Sequence, residues 1–163
     1  MPEDEWLDED DLVIAYLTAR PQPYWLAYVL HSNYDVNERV IDWLIRHPQC
    51  DKAVALALYW QLGAGFYVQF SDRESVPGHA LHSYDLLRYI ENRYLHDAFV
   101  SNEIAFDPSN RFGDYEGKSV VVPVSEEMKR PLSGHAVDDD ALTEGWDGGL
   151  PPEVWMRLKE LDL

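Results

Sequence analysis

The sequence contains few of the residues on which many enzymes and metal proteins depend. Cys50 is the single cysteine, which excludes an intramolecular disulfide and argues against a metal site built on thiolates. No stretch approaches about 18 consecutive apolar residues, so we expect no helix that spans a membrane. The first residues have neither the basic region nor the apolar region of a signal peptide. These absences together predict a cytoplasmic protein.

Lysine and arginine are also scarce, with 13 of them against 30 acidic residues and a formal net charge of −17. Binding to nucleic acid needs clustered basic residues, and an anionic membrane surface would repel this chain, so we expect neither partner. The charge is concentrated: residues 1–19 and 135–156 contain no Lys or Arg and supply −13, whereas residues 20–134 supply −4. This pattern predicts a basic protein partner, or acidic ends that only keep the protein soluble.

Motifs of catalysis are absent as well. The chain has no Gly-x-Ser-x-Gly, and Gly63-Ala64-Gly65 is too short for a phosphate-binding loop and follows a helix rather than a strand. We therefore expect no catalytic residue and no cofactor. Cys50 would need a base to become a nucleophile, and His47 is the nearby candidate. The alternative is a small buried residue at a helix entrance, since free cysteine is often buried.

One histidine pattern is a weak candidate for a metal site. His79, His82 and Asp85 are spaced by three residues on a predicted helix, so they could share one face and hold a divalent metal. The pattern lacks the glutamate of a His-Glu-x-x-His zinc signature, and surface histidines at a helix start are the alternative. Residues 138–140 are three aspartates that lack the alternating ligands of an EF-hand loop, so a solvated acidic loop is predicted there.

The spacing of apolar residues predicts an all-α fold, a helical bundle of about five to six helices in a single domain over residues 1–163. The segment 52–62 is apolar on every side, which predicts the central helix of the domain. An acidic segment covers residues 1–11, and residues 107–150 are expected to form a long irregular acidic loop. Within that loop, 119–124 has the composition of one short strand or hairpin. The predicted helices are 8–19, 24–31, 37–46, 52–62, 79–100 and 151–162.

Two stretches in the middle of the chain carry a family resemblance. One reads Ile-Asp-Trp-Leu-Ile-Arg-His-Pro-Gln-Cys-Asp over residues 41–51 and runs into the apolar helix 53–60. The other is 90–108, a long helix that leads into Asn-Glu-Ile-Ala-Phe-Asp-Pro. Over about residues 24–110 the chain resembles a small bacterial family, domain of unknown function 4274, from which both ends of the chain depart. The resemblance implies a small cytoplasmic helical domain similar to immunity-type proteins encoded beside secreted toxins. It transfers no catalytic residue.

We therefore predict an immunity or antitoxin-type protein, not an enzyme, that neutralises a bacterial effector toxin by covering a basic surface of it. The alternatives are a non-catalytic regulatory or scaffold domain, and a metal-dependent enzyme that uses the histidine pattern. The predicted contact residues are two tryptophan anchors and the acids around them. They are Trp6, Asp8, Glu9, Asp10, Asp11, Asp138, Asp139, Asp140, Glu144, Trp146 and Asp147.

Overall fold

The computed structural model describes residues 8–32, 37–112 and 119–161. Over these ranges the chain is all-α, as predicted, with eight α-helices and no strand. The helices are α1 (Glu9–Thr18), α2 (Gln22–His31), α3 (Glu38–Arg46), α4 (Lys52–Gln61), α5 (Ala64–Tyr67), α6 (Leu81–Leu95), α7 (Asp139–Leu142) and α8 (Pro152–Leu161). The six longer helices are those expected from the sequence, and α5 and α7 are single turns. None of the described helices is both long and apolar enough to cross a bilayer.

The chain groups into two compact units. The terminal unit consists of Met1–His47 and Asp138–Leu163, and the middle unit is Pro48–Val137. The terminal unit thus contains α1, α2, α3, α7 and α8, whereas α4, α5 and α6 belong to the middle unit. A compact unit within a chain need not fold alone, so the single domain over 1–163 stays a prediction.

In the terminal unit, α1 packs against α3 and α8, and α2 packs against α7. The helix α1 begins with a capping box, in which Asp8 and Asp11 each accept a hydrogen bond from the other's backbone amide (2.9 and 3.1 Å). The indole Nε1 of Trp25 donates to the Leu17 carbonyl at 2.8 Å and so ties α2 to the end of α1. The C-terminal helix α8 packs within this unit, where Glu153 forms an ion pair with Arg20 at 3.0 Å.

In the middle unit, α4 has the central position that its composition predicts. All eight residues from Ala53 to Trp60 are buried, which requires neighbours on every side of the helix. Two polar atoms at its C-terminal end also find partners: the Tyr59 hydroxyl donates to Glu91 at 2.8 Å, and the Trp60 indole donates to the Met128 carbonyl at 2.7 Å. Buried tyrosine and tryptophan normally need such partners, so these bonds complete the packing of α4.

Two predicted elements have other structures. Residues 119–124 form no strand, and the described residues contain no strand that could pair with them. Instead, the amides of Val121 and Val122 both donate to the Val68 carbonyl (2.7 and 2.9 Å). The helix α6 ends at Leu95 rather than near residue 100, because Asp97 has a left-handed backbone with φ of 53°. The Ala98 amide then bonds back to the Arg93 carbonyl at 2.9 Å, which closes the helix in a Schellman-type turn.

Candidate partner-binding surface

The acids at the start of α1 surround one arginine from α3. The Arg39 guanidinium donates to Asp11 at 2.8 Å and to Asp8, and it lies 3.8 Å from Asp10. Its hydrogen bond to Asp11 lowers the pKa of that carboxyl. Partial burial raises the pKa of Glu9 and Asp10 instead, and their acidic neighbours add to the effect. One guanidinium therefore faces several carboxylates, and these acids contribute to the packing of α1 on α3.

The acids of the second acidic segment, 138–147, make fewer contacts within the protein than the acids at the start of α1. Asp138 caps α7 by accepting from the Ala141 amide at 3.2 Å. A carboxylate oxygen of Asp139 lies 2.7 Å from His31 Nε2 and accepts a hydrogen bond when that nitrogen carries the proton. The Asp140 side chain is 90% exposed, and Glu144 and Asp147 are exposed too. These three exposed acids lie within eight residues of one another, and Asp138 beside them is exposed as well.

Of the two predicted tryptophan anchors, Trp146 lies within the described residues. Trp146 is half-buried and packs edge-on against Tyr16, with 6.2 Å between ring centroids. Such an edge-to-face pair stabilises the local packing, so Trp146 fixes the acidic segment to α1 and offers only part of its surface to a partner. Trp6 lies outside the described residues.

The charge of the whole chain divides unevenly between the two units. The terminal unit contains 18 acidic and 5 basic residues, whereas the middle unit contains 12 acidic and 8 basic residues. The two acidic segments are separated by more than a hundred residues in the sequence, yet the fold places both in one unit. Their common location is the feature that sequence reasoning did not predict.

The predicted metal pattern does not form a cluster. His79 belongs to a 3₁₀ turn, Gly78–Ala80, that precedes α6, so the assumption of one continuous helix was wrong. Arg73 binds both carboxylate oxygens of Asp85, at 2.9 and 3.1 Å, and this pairing lowers the pKa of Asp85. Among the residues that the structure describes, these three side chains are not a group whose ligand atoms lie within 4.8 Å of one another.

A different group of three side chains does have its ligand atoms within 4.8 Å of one another. His31, at the end of α2, and the adjacent acids Asp139 and Asp140 offer one ring nitrogen and two carboxylate oxygens that lie within 4.8 Å of one another. These are the side chains in the described chain that could hold a divalent cation. In the structure, His31 Nε2 lies 2.7 Å from Asp139, so the trio also serves as a polar link between α2 and α7. No local sequence pattern indicates this group, because 108 residues separate His31 from Asp139.

The residues around Cys50 have a structural role. Burial raises the pKa of the Cys50 thiol to about 12, so this thiol is a poor nucleophile, as the alternative of a buried residue requires. The neighbouring Asp51 is fully buried and is the N-cap of α4. It accepts from the Ala53 amide at 2.9 Å, from the Ser101 hydroxyl at 2.7 Å and from the Glu103 amide at 3.0 Å. The motif that carries the family resemblance thus joins the start of α4 to residues 101–103.

Residues 20–95 match the family described as domain of unknown function, DUF4274. This finding confirms the resemblance from the sequence over those residues. The DUF4274 match begins just before α2 and ends with α6, so the motif at 102–108 lies beyond it. All the predicted contact residues also lie outside the DUF4274 match. No curated protein and no solved structure matches the chain.

Proposed function

We propose that this chain is a cytoplasmic bacterial protein of the immunity type, which binds a basic effector toxin through its acidic terminal unit. The proposal depends on one observation above all: both acidic segments fold into the same unit, which has 18 acidic and 5 basic residues. A surface with such an excess of one charge attracts an oppositely charged protein, accelerates its association and rejects partners of like charge.

The segment 138–147 is the proposed centre of contact. Its acids Asp140, Glu144 and Asp147 are exposed, so they can meet basic residues of a partner, although Asp140 also lies 3.8 Å from His31 Nε2. Asp8, Asp10 and Asp11 already share Arg39 and supply a weaker, longer-range attraction. A toxin that acts on nucleic acid needs a basic surface for its substrate, and an acidic protein bound there would exclude the substrate.

The experiment is co-expression with the product of the adjacent gene. We expect the two proteins to co-purify at low ionic strength, and we expect their complex to weaken steeply as salt is added, because salt screens charge attraction. We also expect cells that make the adjacent product to survive only when this chain is present. Absence of binding at low salt, or binding without protection, contradicts the immunity function.

The same experiment distinguishes the immunity function from the regulatory or scaffold alternative. Binding to an adjacent product that has no effect on cell growth would support a regulatory or scaffold role instead. The enzyme that uses His79, His82 and Asp85 has less support, because Arg73 holds both oxygens of Asp85. A purified protein whose melting temperature is unchanged by zinc or manganese removes that alternative.

A further inference from the structure

The end of α2 and the start of α7 bring together three side chains that can bind a metal ion. His31 is the last residue of α2, and Asp139 and Asp140 are the first two residues of α7. The Nε2 atom of His31 lies 2.7 Å from a carboxylate oxygen of Asp139 and 3.8 Å from one of Asp140. A ring nitrogen and two carboxylate oxygens therefore face one another where these two helices pack.

The separations between these atoms fit the size of one metal ion. Zinc binds imidazole nitrogen and carboxylate oxygen at about 2.0–2.2 Å, so two ligand atoms of one tetrahedral ion lie about 3.4 Å apart. One distance from His31 Nε2 is shorter than that value and the other is longer, and all three ligand atoms lie within 4.8 Å of one another. The Asp140 side chain is 90% exposed, so it can turn toward the ion without disturbing the packing of the helices.

The backbone that carries the three side chains is held by caps and by close packing. Asp138 caps the start of α7, and Thr143 Oγ1 donates to the Asp139 carbonyl at 2.9 Å. Gly149 lies against the end of α2, where a Cβ atom added to this glycine would lie 2.8 Å from the His31 carbonyl oxygen. The main chain at all three ligands is therefore positioned before an ion binds, which lowers the cost of assembling the site.

The charges around these side chains favour a cation. Neither Asp139 nor Asp140 forms an ion pair with a lysine or arginine of the described ranges; their ion-pair partner there is His31. The terminal unit as a whole has 18 acidic and 5 basic residues. Adjacent carboxylates repel each other, and a divalent ion between them removes that repulsion.

The imidazole indicates which class of cation fits. Calcium and magnesium prefer ligand sets made of oxygen atoms. Imidazole nitrogen suits zinc and its neighbours among the transition metals, which also accept carboxylate oxygen. His31 thus distinguishes this group from a cluster of acids alone, which would attract any divalent cation.

We propose that His31, Asp139 and Asp140 bind one zinc ion, with water in the remaining coordination position. The ion takes the place of the hydrogen bond between His31 and Asp139 and links α2 to α7 through three bonds to the protein. This site goes beyond the proposed function, although both aspartates are also predicted contact residues. The test below uses the purified chain without a partner, so either proposal can fail while the other holds.

The test is a competition titration of the untagged, metal-free full chain against a chromophoric zinc chelator. We expect one zinc ion per chain, bound at least about tenfold more tightly than manganese and at least about a hundredfold more tightly than magnesium. In NMR spectra, the ring signals of His31 should shift with the first equivalent of zinc. Magnesium or calcium binding as tight as that of zinc, or unchanged His31 ring signals, overturns the proposal.

Variants locate the ion on these side chains. His31→Gln removes the ring nitrogen, and Asp140→Asn removes one charged ligand at an exposed position. We expect each variant to bind zinc about tenfold or more weakly, since even the loss of a group that only supports a ligand costs about tenfold. His79→Gln is the matched control, because His79 is an exposed histidine of the middle unit, and it should bind zinc as the unmodified chain does.

The melting temperature without metal verifies that each variant remains folded. If His31→Gln is unfolded, Asp140→Asn decides the test, because its side chain is mostly exposed. Unchanged zinc binding in either folded variant contradicts the proposed site. An equal loss in His79→Gln contradicts it too, because the ion would then depend on a histidine of the other unit.

Discussion

Asp51 and Asp138 have the same local role in the two units and very different surroundings. Each is the N-cap of a helix, and each accepts from a backbone amide in the first turn. Asp51 is fully buried in the middle unit and also binds Ser101 and Glu103, whereas Asp138 is exposed in the terminal unit. The difference shows that burial decides whether a carboxylate holds the fold together or remains at the surface, where it can meet a partner.

The same contrast extends to whole segments. The helix α4 is buried on every side in the unit with 12 acidic and 8 basic residues. The exposed acids of 138–147 lie in the unit with 18 acidic and 5 basic residues. We therefore expect changes in the middle unit to alter stability and changes in the terminal unit to alter association.

The largest difference that we expect between the two units is in the reactivity of a cysteine thiol. Burial raises the pKa of Cys50 from 9.0 to about 12. At pH 8, an aromatic disulfide reagent should therefore react with Cys50 at least about a thousandfold more slowly in the folded protein than in protein unfolded by urea. Unfolding should limit the rate of the slow reaction. A second thiol introduced by Asp140→Cys, at a side chain that is 90% exposed, should react at the rate of a free peptide. Fast reaction of Cys50 in the folded protein would show that the middle unit opens readily.

The raised pKa of Cys50 also predicts a dependence of stability on pH. The unfolded thiol loses its proton near pH 9, whereas the folded thiol keeps its proton to about pH 12. The stabilising contribution is therefore complete below pH 9 and is lost as the pH rises toward 12. Urea unfolding between pH 8 and pH 11 measures this loss, and Cys50→Ala should reduce the slope. An identical slope in the variant would contradict the assignment to Cys50.

Removal of the buried cap should cost much more than removal of the exposed one. Asp51→Ala leaves three donors without their acceptor, and we expect a loss of about 3 kcal/mol in the free energy of unfolding. Asp138→Ala removes an exposed cap from a single turn, and about 0.5 kcal/mol is expected there. Denaturation in urea measures both. Asp51→Asn, which keeps one acceptor oxygen, should fall between them. Similar losses in the two alanine variants would refute the contrast between the units.

Arg39 should govern the acid response of the terminal unit. Its hydrogen bond lowers the pKa of Asp11, so the stability from this pair is present above the unfolded pKa near 3.8 and is lost as the pH falls through the lower folded value. Arg39→Gln should raise the pKa of Asp11 and lower the melting temperature at pH 7, and the difference should vanish in strong acid. NMR titration of the Asp11 carboxyl carbon measures the first effect. An unchanged Asp11 titration would rule out the pairing.

The link between His31 and Asp139 should have the smallest effect on stability. His31→Gln weakens a partly exposed polar pair, and we expect a loss of about 0.5 kcal/mol. In His31→Gln, we expect the backbone amides of α7 to exchange hydrogen faster, whereas the exchange of the amides in α4 should not change. Asp140→Asn is the control, because its side chain lies 3.8 Å from His31 and is mostly exposed. Faster exchange throughout both units would mean that this link has a global role.

The sequence was sufficient for the features that depend on local patterns. Apolar spacing located the six longer helices, the composition of α4 predicted its burial, and the clusters of aspartate and glutamate marked both acidic segments. Features that depend on one backbone angle or on distant contacts were missed. The left-handed backbone of Asp97 shortens α6, and the four residues of α7 are too few for a periodic signal. The contact of His31 with Asp139 across 108 residues leaves no pattern in local spacing.

The most direct test is the association rate with the adjacent gene product, measured for two charge-reversal variants at low salt. One variant changes Asp140, Glu144 and Asp147 to lysine in the terminal unit, and the other changes Glu74, Glu103 and Glu127 in the middle unit. All six side chains belong to exposed residues, and both variants alter the net charge equally. We predict at least about a tenfold slower association for the first variant and nearly no change for the second. Equal slowing by both would show that total charge, rather than the terminal unit, determines binding.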